Sequence, residues 1–225
     1  MRAELVLYDY WRSGAGYRVR IALNLKGVAY ERRAIDLRTG AHRDPSYKAL
    51  APQGLVPALI YGERVLTQSM AILEWLEETY PRTRLLPRDT MERAVVRSMA
   101  LLVAADTHPL GNLRVLHQLR TEFGADEGQV NAWINRWIVE GFEALERLIE
   151  RHGDGFAFGS TPTLADCCLV PQVFAAERFG VDLKAFPKIC AAHRAASEIE
   201  AFEQAHPLLQ SDADVPATAV SPSLK

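Results

Sequence analysis

Two rhythms of apolar and polar positions divide the 225-residue chain. In the first third the apolar runs are short and punctuated by glycine and proline. Leu5-Val6-Leu7-Tyr8 has the composition of a strand, and residues 17–26 carry a helical pattern closed by Gly27, a natural left-handed stop. Residues 28–35 mix β-branched and aromatic side chains with charges, so a second strand follows closely on a helix and a parallel β-α-β pair is predicted. After a polar stretch holding Gly40, Pro45 and Pro52, the runs Pro57-Ala58-Leu59-Ile60-Tyr61 and Arg64-Val65-Leu66 flank Gly62-Glu63, the pattern of a tight antiparallel hairpin. Residues 69–79 return to helical spacing, with Ile72, Leu73 and Leu76 on one stripe and Glu74, Glu77 and Glu78 largely off it.

The resulting order, β-α-β, a loop or short helix, then β-β-α, is that of a thioredoxin-like α/β domain, placed at residues 1–82. Pro81 and Pro87 interrupt the helical pattern and mark 83–89 as a linker. Beyond it no hairpin signal occurs. Residues 90–120, 126–151, 163–178 and 188–205 are long and apolar-periodic, which predicts an all-helical domain over 90–210. The segment 211–225, with Pro216, Ser221, Pro222 and Ser223, has too little apolar content to pack and reads as a disordered tail. Thr163-Leu164-Ala165-Asp166 has capping-box spacing, with Asp in place of the usual Glu or Gln. It predicts a structural role for Asp166, worth about 1–2 kcal/mol as a cap.

Composition narrows the function classes. A 48% hydrophobic, 24% charged chain is ordinary globular material, and a formal net charge of −2 provides no field for nucleic acid or an anionic membrane. No stretch approaches the roughly 18–20 uninterrupted apolar residues of a membrane span. Met1-Arg2-Ala3-Glu4 leads straight into a strand-like run without a leader's apolar segment, so a cytoplasmic protein is expected. Cys167, Cys168 and Cys190 are odd in number and lack CxxC spacing, so neither a disulfide framework nor a metal site is expected. Five of the 26 basic residues are lysines, leaving 21 arginines. A coding bias explains such a skew, but Arg also suits forked recognition of carboxylates.

Three stretches of the first domain carry a family resemblance. Tyr10-Trp11-Arg12-Ser13-Gly14-Ala15-Gly16-Tyr17-Arg18-Val19-Arg20-Ile21-Ala22-Leu23 resembles the segment around Ser-Ser-Cys-Ser-x-Arg-Val-Arg-Ile-Ala-Leu in zeta-class glutathione transferases. Gly54-Leu55-Val56-Pro57-Ala58-Leu59 and Gln68-Ser69-Met70-Ala71-Ile72 resemble two further glutathione-side motifs of that family. Leu85-Leu86-Pro87, His108-Pro109-Leu110-Gly111-Asn112 and the run from Ala165 to Val173 extend the likeness to residues 4 to about 208. The resemblance implies the cytosolic glutathione transferase fold and glutathione as cofactor. It also implies a homodimer and cis–trans isomerisation of a maleyl-substituted diacid in aromatic-compound catabolism, as in maleylacetoacetate or maleylpyruvate isomerases. Ser13-Gly14-Ala15 departs from the family's Ser-Ser-Cys, so no protein thiol acts at that position; Trp11-Arg12-Ser13-Gly14 is closer to the maleylpyruvate enzymes. A transferase that conjugates or dehalogenates small electrophiles, or a non-enzymatic module on the same fold, stays open as an alternative.

The same resemblance implies roles for individual residues. Ser13, at the start of the first helix, would lower the pKa of a glutathione thiol by donating to its thiolate; a plain helix cap is the alternative. Val56, before a cis Pro57, would face the cysteinyl part of glutathione. Gln68 and Ser69 would take the γ-glutamyl carboxylate, where ordinary capping is again the alternative. His108 and Asn112 would complete the glutathione side. Arg12, Arg114 and Arg178 would anchor the diacid, with Arg12, His108 and Arg114 also stabilising charge that develops during reaction. Each arginine has a surface charge as its bland alternative, and His108 a packing role.

Overall fold

The computed structural model describes residues 5–214. Strand β1 (Leu5–Asp9) leads to α1 (Gly14–Leu25), β2 (Glu31–Ala34) and a short α2 (Pro45–Leu50). The hairpin β3 (Ala58–Tyr61) and β4 (Arg64–Thr67) then feeds α3 (Ser69–Thr79). The sheet order is β2-β1-β3-β4, with β2 parallel to β1 and the other pairs antiparallel. These are the predicted β-α-β unit and hairpin. Gly27 and Gly62 supply the positive φ angles, 63° and 60°, at the two chain reversals.

Alternation along β1 buries Leu5, Leu7 and Asp9 and leaves Val6 and Tyr8 half-buried. The period-2 rule therefore carries a carboxylate into a core otherwise made by Val19, Ile21 and Leu23 of α1, Leu59, and Ile72, Leu73 and Leu76 of α3. The Asp9 carboxylate is compensated by Arg20, itself fully buried on α1.

The remaining helices are α4 (Thr90–Leu101), α5 (Leu113–Thr121), α6 (Glu127–His152), α7 (Leu164–Arg178), α8 (Pro187–Ser197) and α9 (Glu200–Ala205). The helix expected over 90–120 is interrupted by a π-helical segment, Leu102–Thr107, and a 3-10 turn, His108–Gly111. Pro109 lacks the N–H that a continuing helix would need. Gly141 of α6 admits this segment: Thr107 Oγ1 lies 2.1 Å from where a Cβ at 141 would stand. On α6 the buried stripe Val130, Ile134, Ile138, Phe142, Leu145 and Ile149 keeps helical spacing. The box expected at Thr163 is present. Asp166 accepts from the Thr163 N–H at 2.8 Å and its hydroxyl at 3.0 Å, and also from the Ala157 N–H at 2.7 Å.

The chain forms two compact units: residues 86–196, and residues 5–85 together with 197–214. The expected division therefore needs correction at its C-terminal side. Residues 197–210, assigned to the helical domain, return to the first unit. There Arg20 Nε donates to the Ala205 carbonyl (3.0 Å) and Asn24 Nδ2 to that of Ala201 (3.0 Å). Residues 211–214 of the expected tail are anchored by charge, Asp212 to Arg32 and Asp214 to Arg38; residues 215–225 lie outside the described residues. No helix among the described residues is long and apolar enough to cross a membrane.

Candidate functional site

The strand register brings three of the expected stretches to one end of the sheet. Asp9, the last residue of β1, pairs with Ala34; Tyr8 pairs with Ala58 and Ala58 with Thr67. The turn leaving β1, the chain entering β3 and the chain leaving β4 therefore share an edge. Ser13, Val56-Pro57 and Gln68-Ser69 occupy those three connections, and the N-termini of α1 and α3 open there. Two helix N-termini at one end of the sheet make a site suited to negative charge.

Ser13 is the N-cap of α1, and its Oγ accepts from the Gly16 N–H at 3.1 Å. A hydroxyl that accepts there retains its own proton for donation to an anion, so capping and binding are compatible. The turn before it is tied through its main chain. Tyr10 N–H donates to Asp9 Oδ1 (2.7 Å), Ser13 N–H to the Tyr10 carbonyl (2.9 Å), and Arg20 Nη2 to the Trp11 carbonyl (3.0 Å). Gly16 is required by close approach, since a Cβ there would lie 1.6 Å from Asp9 Oδ1. Arg12 is half-buried, with its guanidinium 5.3 Å from the Trp11 ring centroid. Tyr10 beside it is held in its protonated form by burial, which raises its pKa.

Val56-Pro57 is cis, as the resemblance implies. The segment before it is fixed by the Tyr47 hydroxyl, which donates to the Leu55 carbonyl at 2.7 Å, and by Gly54 at φ 62°, where a Cβ would stand 2.8 Å from the His42 carbonyl oxygen. Gln68 has φ 69° and ψ 114°, a conformation that non-glycine residues rarely adopt, and makes no side-chain cap on α3. Its Nε2 donates to Gln53 Oε1 at 2.6 Å. Ser69 is buried at the first position of α3, and its Oγ accepts from Arg18 Nη1 at 3.2 Å, again leaving a hydroxyl proton to donate. Ordinary capping does not describe either residue.

In the helical unit, His108, Asn112 and Arg114 fall within one turn-and-helix start. His108 opens the 3-10 turn, and Trp133 Nε1 fixes that turn by donating to the Leu110 carbonyl at 2.8 Å. The Asn112 side-chain oxygen caps α5, accepting from the Arg114 N–H at 3.2 Å, which leaves its amide N–H₂ to donate to a ligand. The Arg114 side chain is exposed. Arg178 ends α7, separate from that turn in sequence, with its guanidinium 4.3 Å from the Phe179 ring centroid. Among the described residues no group of three or more His, Cys, Asp or Glu could hold a metal ion.

Sequence reading missed Asp9, Arg20, Tyr47, Gln53 and Asp212, which hold the connections in place. Of these, Asp9 had a signal in its even spacing from Leu5 and Leu7, and Arg20 lay within the first motif.

Family models of the glutathione S-transferase N-terminal domain and C-terminal domain match residues 13–79 and 131–210. A maleylpyruvate isomerase of Ralstonia sp is 52% identical over 208 residues, 92% of this chain and 98% of the relative. A solved holo maleylpyruvate isomerase, described as a bacterial zeta-class enzyme, superposes with TM-score 0.91 at 51% identity, covering 92% and 99% of the two chains. A maleylacetoacetate isomerase of Anaeromyxobacter dehalogenans, solved with dicarboxyethyl glutathione and citrate in its active site, gives TM-score 0.84 at 41% identity over 95% and 100%.

Proposed function

The chain belongs to the glutathione S-transferase family, in its zeta class, and we propose that it isomerises a maleyl-substituted diacid from cis to trans with glutathione as cofactor. The observation that carries this reading is the sheet edge, where two hydroxyls with protons to donate, Ser13 and Ser69, stand at two helix N-termini. That arrangement fits a ligand with an ionisable thiol and a carboxylate at some distance from it. The dicarboxyethyl glutathione in the Anaeromyxobacter relative's active site supports addition of the thiol to a four-carbon diacid skeleton.

Bound glutathione supplies the thiolate that adds to the cis alkene and is expelled once the bond between the two carbons has rotated. The residues of this chain do the rest. Ser13 donates its hydroxyl proton toward the sulfur and, with the α1 N-terminus, favours the charged form. Ser69 and the main chain at Gln68 take the γ-glutamyl carboxylate, while Tyr47 and Gly54 hold Val56 ready for the peptide part. Arg12, supported on Trp11, engages a substrate carboxylate through its guanidinium fork. The resemblance gives Arg114 and Arg178 to the diacid and His108 and Asn112 to glutathione. Charge that develops on the substrate carbonyl is met by the Arg12 guanidinium.

The test is loss of enone absorbance with maleylpyruvate and maleylacetoacetate, each with and without glutathione, for wild type and the Ser13→Ala, Arg12→Ala and Arg114→Ala proteins. Glutathione-dependent turnover that falls with Ser13→Ala, and a raised diacid KM in the arginine variants, is expected. No turnover of either substrate by a protein that still binds glutathione overturns the proposal.

A further inference from the structure

We infer that Asp212, near the C-terminal end of the described chain, is a positioning residue for the turn that carries Ser13. The inference rests on the role given to Ser13 above. Asp212 Oδ2 accepts from the Trp11 N–H at 3.2 Å across a separation of 201 residues. Its other oxygen accepts from Arg32 Nη1 at 2.7 Å, and Arg32 Nε reaches Asp9 Oδ2 at 3.4 Å. Asp9 in turn pairs with Arg20, whose Nη2 donates to the Trp11 carbonyl. Two acids and two arginines thus form one chain of alternating charge, and its two ends grip the same residue, one at Trp11 N–H and the other at Trp11 C=O.

The consequence is geometric. Trp11 lies two residues before Ser13 inside a turn closed by the Ser13 N–H to Tyr10 carbonyl bond. With both main-chain groups of Trp11 fixed, the turn has one arrangement, and the Ser13 hydroxyl is aimed before any ligand arrives. Val56 and Gln68-Ser69 have separate supports, Tyr47 and Arg18, which Asp212 does not touch. Loss of Asp212 therefore disturbs the sulfur end of the site and spares the rest. The side chains of Arg32 and Asp212 are only 12% and 20% exposed, so water does not readily substitute for the contact.

The test compares Asp212→Ala, Asp212→Asn and Asp214→Ala with Ser13→Ala, reading kcat, the KM for glutathione, and the pH at which bound glutathione ionises, followed by ultraviolet thiolate absorbance. Asp212→Ala should lower kcat about fivefold, the effect of one lost hydrogen bond, and move thiol ionisation to higher pH with little change in glutathione KM. Asp212→Asn keeps one oxygen for the Trp11 N–H but turns its amide N–H₂ toward Arg32, so it should recover part of the rate; Asp214→Ala, which removes only the exposed pair with Arg38, should match wild type. Should Asp212→Ala prove too unstable to assay, Asp212→Ser, whose side chain is too short to reach the Trp11 nitrogen, carries the same expectation. Equal losses in the Ala and Asn proteins, or a lowered melting temperature with unchanged kcat and thiol ionisation, overturn the inference while leaving Ser13 in place. A Ser13→Ala protein with normal kcat and thiol ionisation overturns the site reading itself, and this inference with it.

Discussion

Replacing Gly16 by alanine sets helix propensity against packing, and the distances decide between them. Within a helix the substitution ordinarily stabilises by about 1 kcal/mol. Here the new Cβ would stand 1.6 Å from Asp9 Oδ1 and 2.4 Å from its Cγ. Ordinary carbon contacts begin near roughly 3.5 Å, so the carboxylate must retreat by about 2 Å. It cannot do so and keep its bonds to the Tyr10 N–H and to Arg20, which is fully buried. A buried pair broken from one side costs about 3–5 kcal/mol, because the remaining charge is left uncompensated. Net destabilisation of about 2–4 kcal/mol is expected after the helix gain is subtracted. Urea unfolding at fixed protein concentration measures it, and the double mutant with Asp9→Ala isolates the cause. In the Asp9→Ala background the clash is gone, so Gly16→Ala should be neutral or stabilising by up to about 1 kcal/mol. An equal cost in both backgrounds, or a stabilised single mutant, refutes the reasoning.

Three other outcomes follow from the same structure. Asp166→Ala removes the acceptor of three buried hydrogen bonds and should cost about 3 kcal/mol in urea unfolding near pH 4. Burial raises the Asp166 pKa to about 6, so between the unfolded and folded values the native state binds the extra proton and stability falls as pH rises; the wild-type advantage over Asp166→Ala should shrink from pH 4 to pH 7, and growth would mean that the hydrogen bonds outweigh burial. Gly141→Ala drives a Cβ into Thr107 Oγ1 and should displace the His108 turn, lowering kcat severalfold in the isomerase assay and raising the glutathione KM. Tyr47→Phe frees the Leu55 carbonyl and should raise the glutathione KM about threefold to fivefold, measured by initial rates, with kcat nearly unchanged.

The local grammar of the fold was readable because it is written in neighbouring residues. Gly27 and Gly62 marked the reversals, the Ile72-Leu73-Leu76 stripe marked α3, and Thr163 to Asp166 marked a helix start. What escaped depends on partners far apart in sequence. The strand reading stopped at Tyr8, one residue before the buried carboxylate, because an acid in a core is recognisable only with its arginine in view. Gly16 lay just outside the helix expected over 17–26, and its need arises from Asp9 across the packing. Nothing near Asp212 announces Arg32, 180 residues away, and a polar, proline-bearing segment reads as tail until its ion pair is seen. The site followed the same division. Ser13, Val56, Gln68 and Ser69 were singled out as candidates through motifs, whereas the groups that hold them were not.

The return of residues 197–214 to the first unit also bears on how the molecule is made. Synthesis runs from the N-terminus, and domains commonly fold in that order. In this chain the middle segment, 86–196, is continuous and has all its parts once residue 196 has emerged. The unit begun first waits longest: Arg20 lacks its Ala205 acceptor and Arg32 its Asp212 until residues 197–214 leave the ribosome. A nascent chain stalled before those residues would hold a complete second unit and an incomplete first one. The emergence of residues 197–214 is therefore the step that completes the first unit.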